Sequence, residues 1–490
     1  MWRRLARRRL NRTTMLMVGC AAFLLGLVLA RLHLEVSGWA ALPLLGGAGL
    51  LFGRRTIIAT AIMLLAGLLL GLWRGGEYLQ RLQPYQQLAL QKVQFTATAS
   101  IDAVYGQNSQ LSFVVHDVHF TSPETMRAPG SIKISGFGET MVYRGDRLEI
   151  SGKLYPTRGA SQATASFAQL SKLGGSSSPV DSLRRKFTAG MQTALPEPLA
   201  SFGLGLLVGQ RNTLPADLTQ TLLMVGLTHI IAVSGYNLTI LLEASRRVLG
   251  DRSKVLSTAI AIALIFGFLL IAGTSASIVR AAVISTIGLS AWYYGRSMRP
   301  LLLILLGAAG TAYANPVYIW SDISWYLSFL AFFGILVVGP LVTQALSPAK
   351  QPPLLVQIAI ESLCAELMTL PLILFIFGQM SLVSLLANML VVALIPLAML
   401  LSLIAGLSGM LAGAVAGWFA WPARLLLTYM LDVVHLLSRV PHIFQQNRYL
   451  SAVDMGLCYT AVAAVIGLAH YSRIRRQRFD IAVQEPVIIQ

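Results

Sequence analysis

GLTHIIAVSGYNLTILL, residues 226–242, decides how this chain is read. The stretch is mostly apolar, and a helix of about 20 such residues crosses a bilayer. Yet His229, Ser234, Gly235, Tyr236 and Asn237 sit along it. Polar groups without partners are costly at that depth. Two readings follow. Ser234 and Gly235 mark a close helix-packing spot, with Asn237 bonded to a neighbouring helix. Alternatively the segment faces a water-filled protein interior, or breaks locally to border one.

Similar runs recur from Met15 to the C-terminal region. Of 490 residues, 55% are hydrophobic and only 12% charged, with mean hydropathy +0.67. Soluble domains carry about 25% charged residues. The fold class is therefore a polytopic α-helical membrane protein. Twelve spans are expected, at about 15–30, 38–52, 56–73, 218–242, 255–272, 278–294, 301–314, 324–341, 354–377, 382–410, 417–440 and 451–470. The formal charge of +18 is read mainly as orientation, and alone it does not argue for nucleic-acid binding. RRLARRR (3–9), GRR (53–55), SRR (245–247), GRSMR (295–299) and SRIRRQR (472–478) all flank apolar runs, as cytoplasmic loops do. An even number of spans places both termini in the cytoplasm. The basic start and first apolar stretch resemble a signal peptide, but without an A-x-A site they read as an uncleaved helix. Cys20, Cys364 and Cys458 lie in apolar segments without a CxxC pair, so no disulfide or zinc framework is expected.

The texture changes between residues 81 and 180. VQFTATASIDAVY and QLSFVVHDVHF alternate as strands do, and GSIKISGFG and GDRLEISGKLY continue the pattern. A small extracytoplasmic β-barrel, OB-like, is expected. GASQATASFAQLSKLG reads as a short helix and GGSSSP as a linker. The expected organisation is a three-helix membrane region (1–80), the OB-like domain with its linker (81–180), a polytopic channel domain (181–475) and a cytoplasmic tail (476–490). ALPEPLASFGLGLLVGQRNTLP (194–215) opens the second membrane block with a short amphipathic or re-entrant helix between prolines.

Polar residues inside spans are functional candidates, because lipid exposure is expensive. Besides the opening stretch these are Arg280, Asp322, Trp325, Glu361, Glu366, Gln379, Asn388, Asp432 and His435. Plainer readings stand beside that one. Arg280 lies near a span end and can snorkel. Glu366 precedes Pro371 and either satisfies backbone groups freed by it or lines a wet cavity. Asp432 and His435 are at pairing distance on a helix. Hydrolysis is disfavoured. On a helix His229 points about 140° away from Ser234, and Ala232 and Tyr236 break G-x-S-x-G. His116 and His119, three apart on a strand, fall on opposite faces and read as surface histidines.

The order of segments resembles the ComEC-type competence protein family, an inner-membrane channel of natural transformation. LPEPLASFGLGLLVGQRNTLP, GLTHIIAVSGYNLTILL, GTSASIVRAA, DISWYLSFLAFFGIL and LPLILFIFGQMSLVSLLANMLVVALIPLAML follow one another as in that family. Tyr236–Asn237 and Glu366 depart from commoner residues there. The resemblance implies that single-stranded DNA passes from outside to cytoplasm through the cytoplasmic membrane. It implies as partners a periplasmic or surface DNA receptor, a cytoplasmic ATPase or helicase, and a separate nuclease. No P-loop occurs, and no HxHxDH, so the metallo-β-lactamase-like domain of many relatives is expected to be lacking. No cofactor and no catalytic residue is expected. His229, Ser234, Gly235, Tyr236, Asn237, Arg280, Asp322, Trp325, Glu366, Gln379 and Asn388 would line or frame the path. Lys133, Arg144, Arg147, Lys153 and Arg158 are DNA-contacting candidates. Residues 92–186 hold eleven Lys/Arg against seven Asp/Glu, a net of +4. Phe95, Tyr105, Phe113, Phe120, Phe137 and Tyr143 are either stacking platforms or core. The competing reading is a secondary transporter or flippase of a polar or lipid-linked substrate, although no internal repeat favours it.

Overall fold

Glycine lets the first two described helices touch backbone to backbone. The structure, a computed structural model, describes residues 11–32, 43, 46–47, 56–105, 110–137, 142–156, 159–175, 178–210, 213–231, 253–272, 276–296, 298–346 and 352–484. Helix α1 is Arg12–Leu29 and α2 is Ile57–Gln87. A Cβ on Gly26 would lie 2.2 Å from Leu68 O, and one on Gly71 2.2 Å from Phe23 O. Gly67, Gly71 and Gly75 recur every fourth residue, the spacing of a close-packed membrane helix pair. Helix α2 then continues beyond its apolar part. Tyr78, Leu82 and Tyr85, followed by Leu88, enter the core of the next domain.

That domain is a closed five-strand barrel. Its strands are β1 Lys92–Ala99, the short β2 Val104–Tyr105, β3 Gln110–Ser122, β4 Met126–Phe137, β5 Arg147–Pro156 and β6 Ala163–Gly174. The order is β1-β5-β6-β4-β3, and β3 pairs back with β1; β2 extends β3 as a hairpin. Only β4 and β6 run parallel. Alternation puts Phe113, Val115, Ile132, Ile134, Leu148, Ile150 and Leu154 inside.

Residues 163–174 are strand, not the expected helix. Their composition suits a helix, but β4 and β5 need a strand between them and only small side chains fit there. Ala163, Ala165 and Ala168 are buried, and a Cβ on Gly136 would sit 2.6 Å from Ala168 O. Tertiary pairing overrides local preference. The histidines lie at the surface, as expected, but not on opposite faces of the strand. Asp117 adopts φ 55, and the β3–β4 register slips between His116 and Val118. This bulge leaves His116 exposed and His119 outside the core, with Val118 turned inward.

The remaining helices are α3 Pro179–Ala194, α4 Leu199–Val208, α5 Ala216–Val225, α6 Thr228–Ile231, α7 Lys254–Ala272, α8 Ala276–Tyr293, α9 Pro300–Ala314, α10 Val317–Ser321, α11 Ile323–Phe333, α12 Gly339–Leu346, α13 Leu354–Phe377, α14 Ser384–Val391, α15 Ile395–Leu411, α16 Ala416–Ser438 and α17 Ala452–Gln484. A two-stranded pair, β7 Met380–Ser381 and β8 Phe444–Gln445, lies between them. Two compact units result. One comprises residues 1–223, 227–326 and 394–435, the other 224–226, 327–393 and 436–490.

Among the described residues, five helices are long and apolar enough to cross a membrane: Arg12–Leu32, Ile57–Gln87, Ile323–Leu346, Leu355–Phe377 and Ser384–Leu411. Five shorter apolar helices accompany them. The expectation of twelve is therefore not met. The expected span 38–52 lies largely outside the described residues. The expected span 218–242 is broken: Gly226 at φ +83 turns the chain between α5 and α6. A Cβ there would lie 2.6 Å from that of Ser384, so glycine is required both for the turn and for the contact.

In the first unit, membrane helices and barrel are one packed body. Val317 of α10 belongs to the barrel core. Trp320 Nε1 donates to Leu27 O at 2.9 Å, Ser321 Oγ to Gly159 O at 2.8 Å, and Tyr78 OH to Asn315 Oδ1 at 2.9 Å. Helix α3 lies so near α15 that a Cβ on Gly409 would overlap Gly190 O. In the second unit a π-helical turn, Gly334–Val338, follows α11. Gly334 packs there on the backbone of Cys364 in α13. Pro371 removes one hydrogen bond from α13, and Tyr459 OH donates to Met368 O one turn earlier.

Candidate functional site

Asp322 ends α10, and its Oδ1 accepts the Ser324 N–H at 3.0 Å, capping α11. From α8, Arg280 reaches this corner. Its Nη2 donates to Ser324 O and Oγ, both at 3.1 Å, and Nη1 lies 3.5 Å from Asp322 Oδ2. Arg280 is 1% exposed, so it does not snorkel. Its Nε and Nη1, and Asp322 Oδ2, have no hydrogen-bond partner. Next to it Trp325 is buried, with Nε1 donating to Thr311 Oγ1 at 3.1 Å. Three predicted residues, Arg280, Asp322 and Trp325, thus share one corner. Ser324 and Thr311 complete it; the D-x-S signal before an apolar run was available in the sequence.

The second unit holds another polar cluster. Ser384 Oγ donates to Glu366 Oε1. Asn388, one turn later on α14, is buried, and its Oδ1 has no partner; neither has Ser381 Oγ. Gln379 is half-buried in the turn leading to β7. Glu361 accepts from Gln357 Nε2 at 2.8 Å instead. His229 is exposed on α6, and Asp432 and His435 are exposed on α16. Ser234, Gly235, Tyr236, Asn237 and Arg158 lie outside the described residues.

Arg144 is committed to the fold rather than free on the barrel. Its backbone N–H donates to Asp102 Oδ1 at 2.9 Å, and its Nη1 to Leu270 O at 3.0 Å, near the C-terminus of α7. Its Nε lies 3.6 Å from Asp181. Arg184 forks onto Asp102 at 2.8 Å. Burial pushes the Arg184 guanidinium below its ordinary range, with Asp102 opposing. This network borders a cavity of about 210 Å³ that also exposes Arg185, Thr188, Gln192 and Gln210. Asp102 and Arg184 are far apart in sequence, and nothing in either segment signals the pair.

Lys133, Arg147 and Lys153 are exposed on β4 and β5. Phe95, Phe113 and Phe120 are core, at most 1% exposed, and so are not stacking platforms. Phe137 is exposed, and Tyr143 is partly so. Among the described residues no group of three or more His, Cys, Asp or Glu is placed to hold a metal ion.

Residues 206–472 match the model of a family described as Competence protein. Over 244 residues, 49% of this chain, the sequence is 25% identical to ComE operon protein 3 of Bacillus subtilis (strain 168). The match spans 30% of that relative's length. No solved structure matches. The barrel lies outside the family match.

Proposed function

Since the chain belongs to the Competence protein family, we propose that it conducts single-stranded DNA across the cytoplasmic membrane during natural transformation. The observation that carries this reading is the state of the polar residues in the apolar helices. Arg280, Asp322 and Asn388 are buried in protein, yet Arg280 Nε and Nη1, Asp322 Oδ2 and Asn388 Oδ1 retain hydrogen-bonding capacity. Helices that only needed to pack would carry apolar side chains there, because each unmade bond costs free energy. A charged strand needs such groups along or behind its path.

The barrel supports the same reading. Without β2 its strand order and single parallel pair fit an OB-like fold, a frequent binder of oligonucleotides. It stands on the extracytoplasmic side with both termini in the cytoplasm. The chain contains no P-loop, so a cytoplasmic ATPase or helicase pulls the strand. A receptor delivers the DNA, and a separate nuclease removes the complementary strand. The test is import of fluorescent DNA in a deletion strain. Surface capture should persist while import ceases, and the chain supplied in trans should restore import. Undiminished import without the protein would falsify the reading.

A further inference from the structure

Two phenylalanines of the barrel point the wrong way for a core. Phe137 ends β4 and Phe167 stands within β6; they are 61% and 69% exposed, with ring centroids 6.5 Å apart and planes inclined by 33°. Phe167 is there because of a bulge. Ser135 pairs with Ser166 and Gly136 with Ala168, which leaves Phe167 unpaired across from β4. Its φ is 55°, the left-handed region that bulky side chains rarely adopt. Glycine or asparagine would make the same bulge at lower cost. Backbone strain kept where it lifts an aromatic ring into solvent beside a second ring points to use of the rings.

The surroundings indicate what the rings meet. Lys133 pairs with Thr164 and Lys153 with Ser166 across the same strands. The outward positions 133, 135 and 137, 151, 153 and 155, and 164, 166 and 167 carry Lys, Ser, Phe, Thr or Tyr; the nearest carboxylate on β5 is Glu149, the next outward position after Ser151. Lys153 Nζ lies 5.8 Å from the centre of the Tyr155 ring. Flat apolar faces with ammonium groups and hydroxyls around them match stacked bases on a phosphate backbone. We propose that Phe137 and Phe167, flanked by Lys133 and Lys153, form a base-stacking platform for single-stranded nucleic acid on the β4–β6–β5 face. OB-folds ordinarily bind on their second and third strands, here β3 and β4; this platform shares β4 with that face and extends it across β6 onto β5. The inference deepens the conduit reading and rests on it for the origin of the strand.

The test uses the full chain in nanodiscs and a fluorescein-labelled oligothymidine, read by anisotropy. Phe137→Ser combined with Phe167→Asn should weaken binding at least about tenfold. Melting should not fall, because both rings are exposed and Asn relieves the left-handed strain. Phe137→Trp should keep the affinity. Lys133→Gln with Lys153→Gln should lower the slope of log affinity against log salt by about 1.4. Wild-type affinity in the double Phe variant, or no binding by the wild type, overturns the platform. So does a Phe137→Trp variant whose added indole emission is quenched by brominated lipid but not by oligothymidine, which assigns the rings to a membrane surface. The deletion-strain import assay stands apart. Lost import with undiminished binding by the Phe variant removes the platform and leaves the conduit; undiminished import with tenfold weaker binding does the reverse.

Discussion

Arg184 and Arg280 each meet an aspartate in the protein interior, and the two pairs are built differently. Asp102 uses both oxygens: one lies 2.8 Å from Arg184 Nη2, and the other accepts the Arg144 backbone N–H at 2.9 Å. Asp322 uses one oxygen to cap α11. The other stands 3.5 Å from Arg280 and accepts no hydrogen bond. The first pair is a joint between barrel and α3 in which both carboxylate oxygens are used and only Arg184 Nε is left without a partner. The second lies among apolar helices, where incomplete satisfaction is more expensive. The aspartates thus differ: Asp102 is fully used in assembly, whereas Asp322 keeps one oxygen without a hydrogen bond.

The largest effect should come from Arg280→Leu. It leaves Asp322 buried without a counter-ion, at a cost of about 3–5 kcal/mol, seen as a lower melting temperature in detergent. Replacing both partners, Arg280→Leu with Asp322→Leu, should restore most of the stability, because two apolar residues suit such a site. Import should nevertheless stay low in the double variant. Normal import with normal melting would make the pair a packing device and erase its contrast with Arg184–Asp102.

Asp102→Asn should cost less, about 2 kcal/mol, because the Asn oxygen can still accept the Arg144 N–H. Its effect should fall on the junction of barrel and α3, read as faster proteolysis of the chain near residues 175–178. Import by Asp102→Leu with Arg184→Leu is expected near the wild-type level once melting is matched. A clear fall in import would mean that this pair, like that of Arg280 under the proposed reading, is needed for import beyond its part in folding.

The two pairs also show what the sequence could reveal. Asp322 and Arg280 stood out because charge is rare in apolar runs, and α13 begins and ends where the 354–377 run does. The alternation of residues 110–122 disclosed a strand for the same reason, a period visible over many residues. Asp102 and Arg184 lie in polar segments where charge is ordinary, and only the closed barrel brings them together. Residues 163–174 misled because alanine serves both helices and the crowded seam of a small barrel. Gly226 misled differently. Hydropathy continues straight through it, and only its turn against Ser384 shows that the span is broken.

The smallest effect isolates how Arg280 is held. Ser324 serves it twice, through its carbonyl and through Oγ, while its own N–H binds Asp322. Ser324→Ala removes only the hydroxyl, so the carbonyl and the cap should persist. The expected loss is about 1 kcal/mol, with import reduced only slightly, and Ser324→Thr should restore both. A loss as large as that of Arg280→Leu would mean that the hydroxyl, rather than Asp322, fixes the guanidinium. The long 3.5 Å contact would then be incidental, and the comparison would shift from two ion pairs to one ion pair and one hydrogen-bonded arginine.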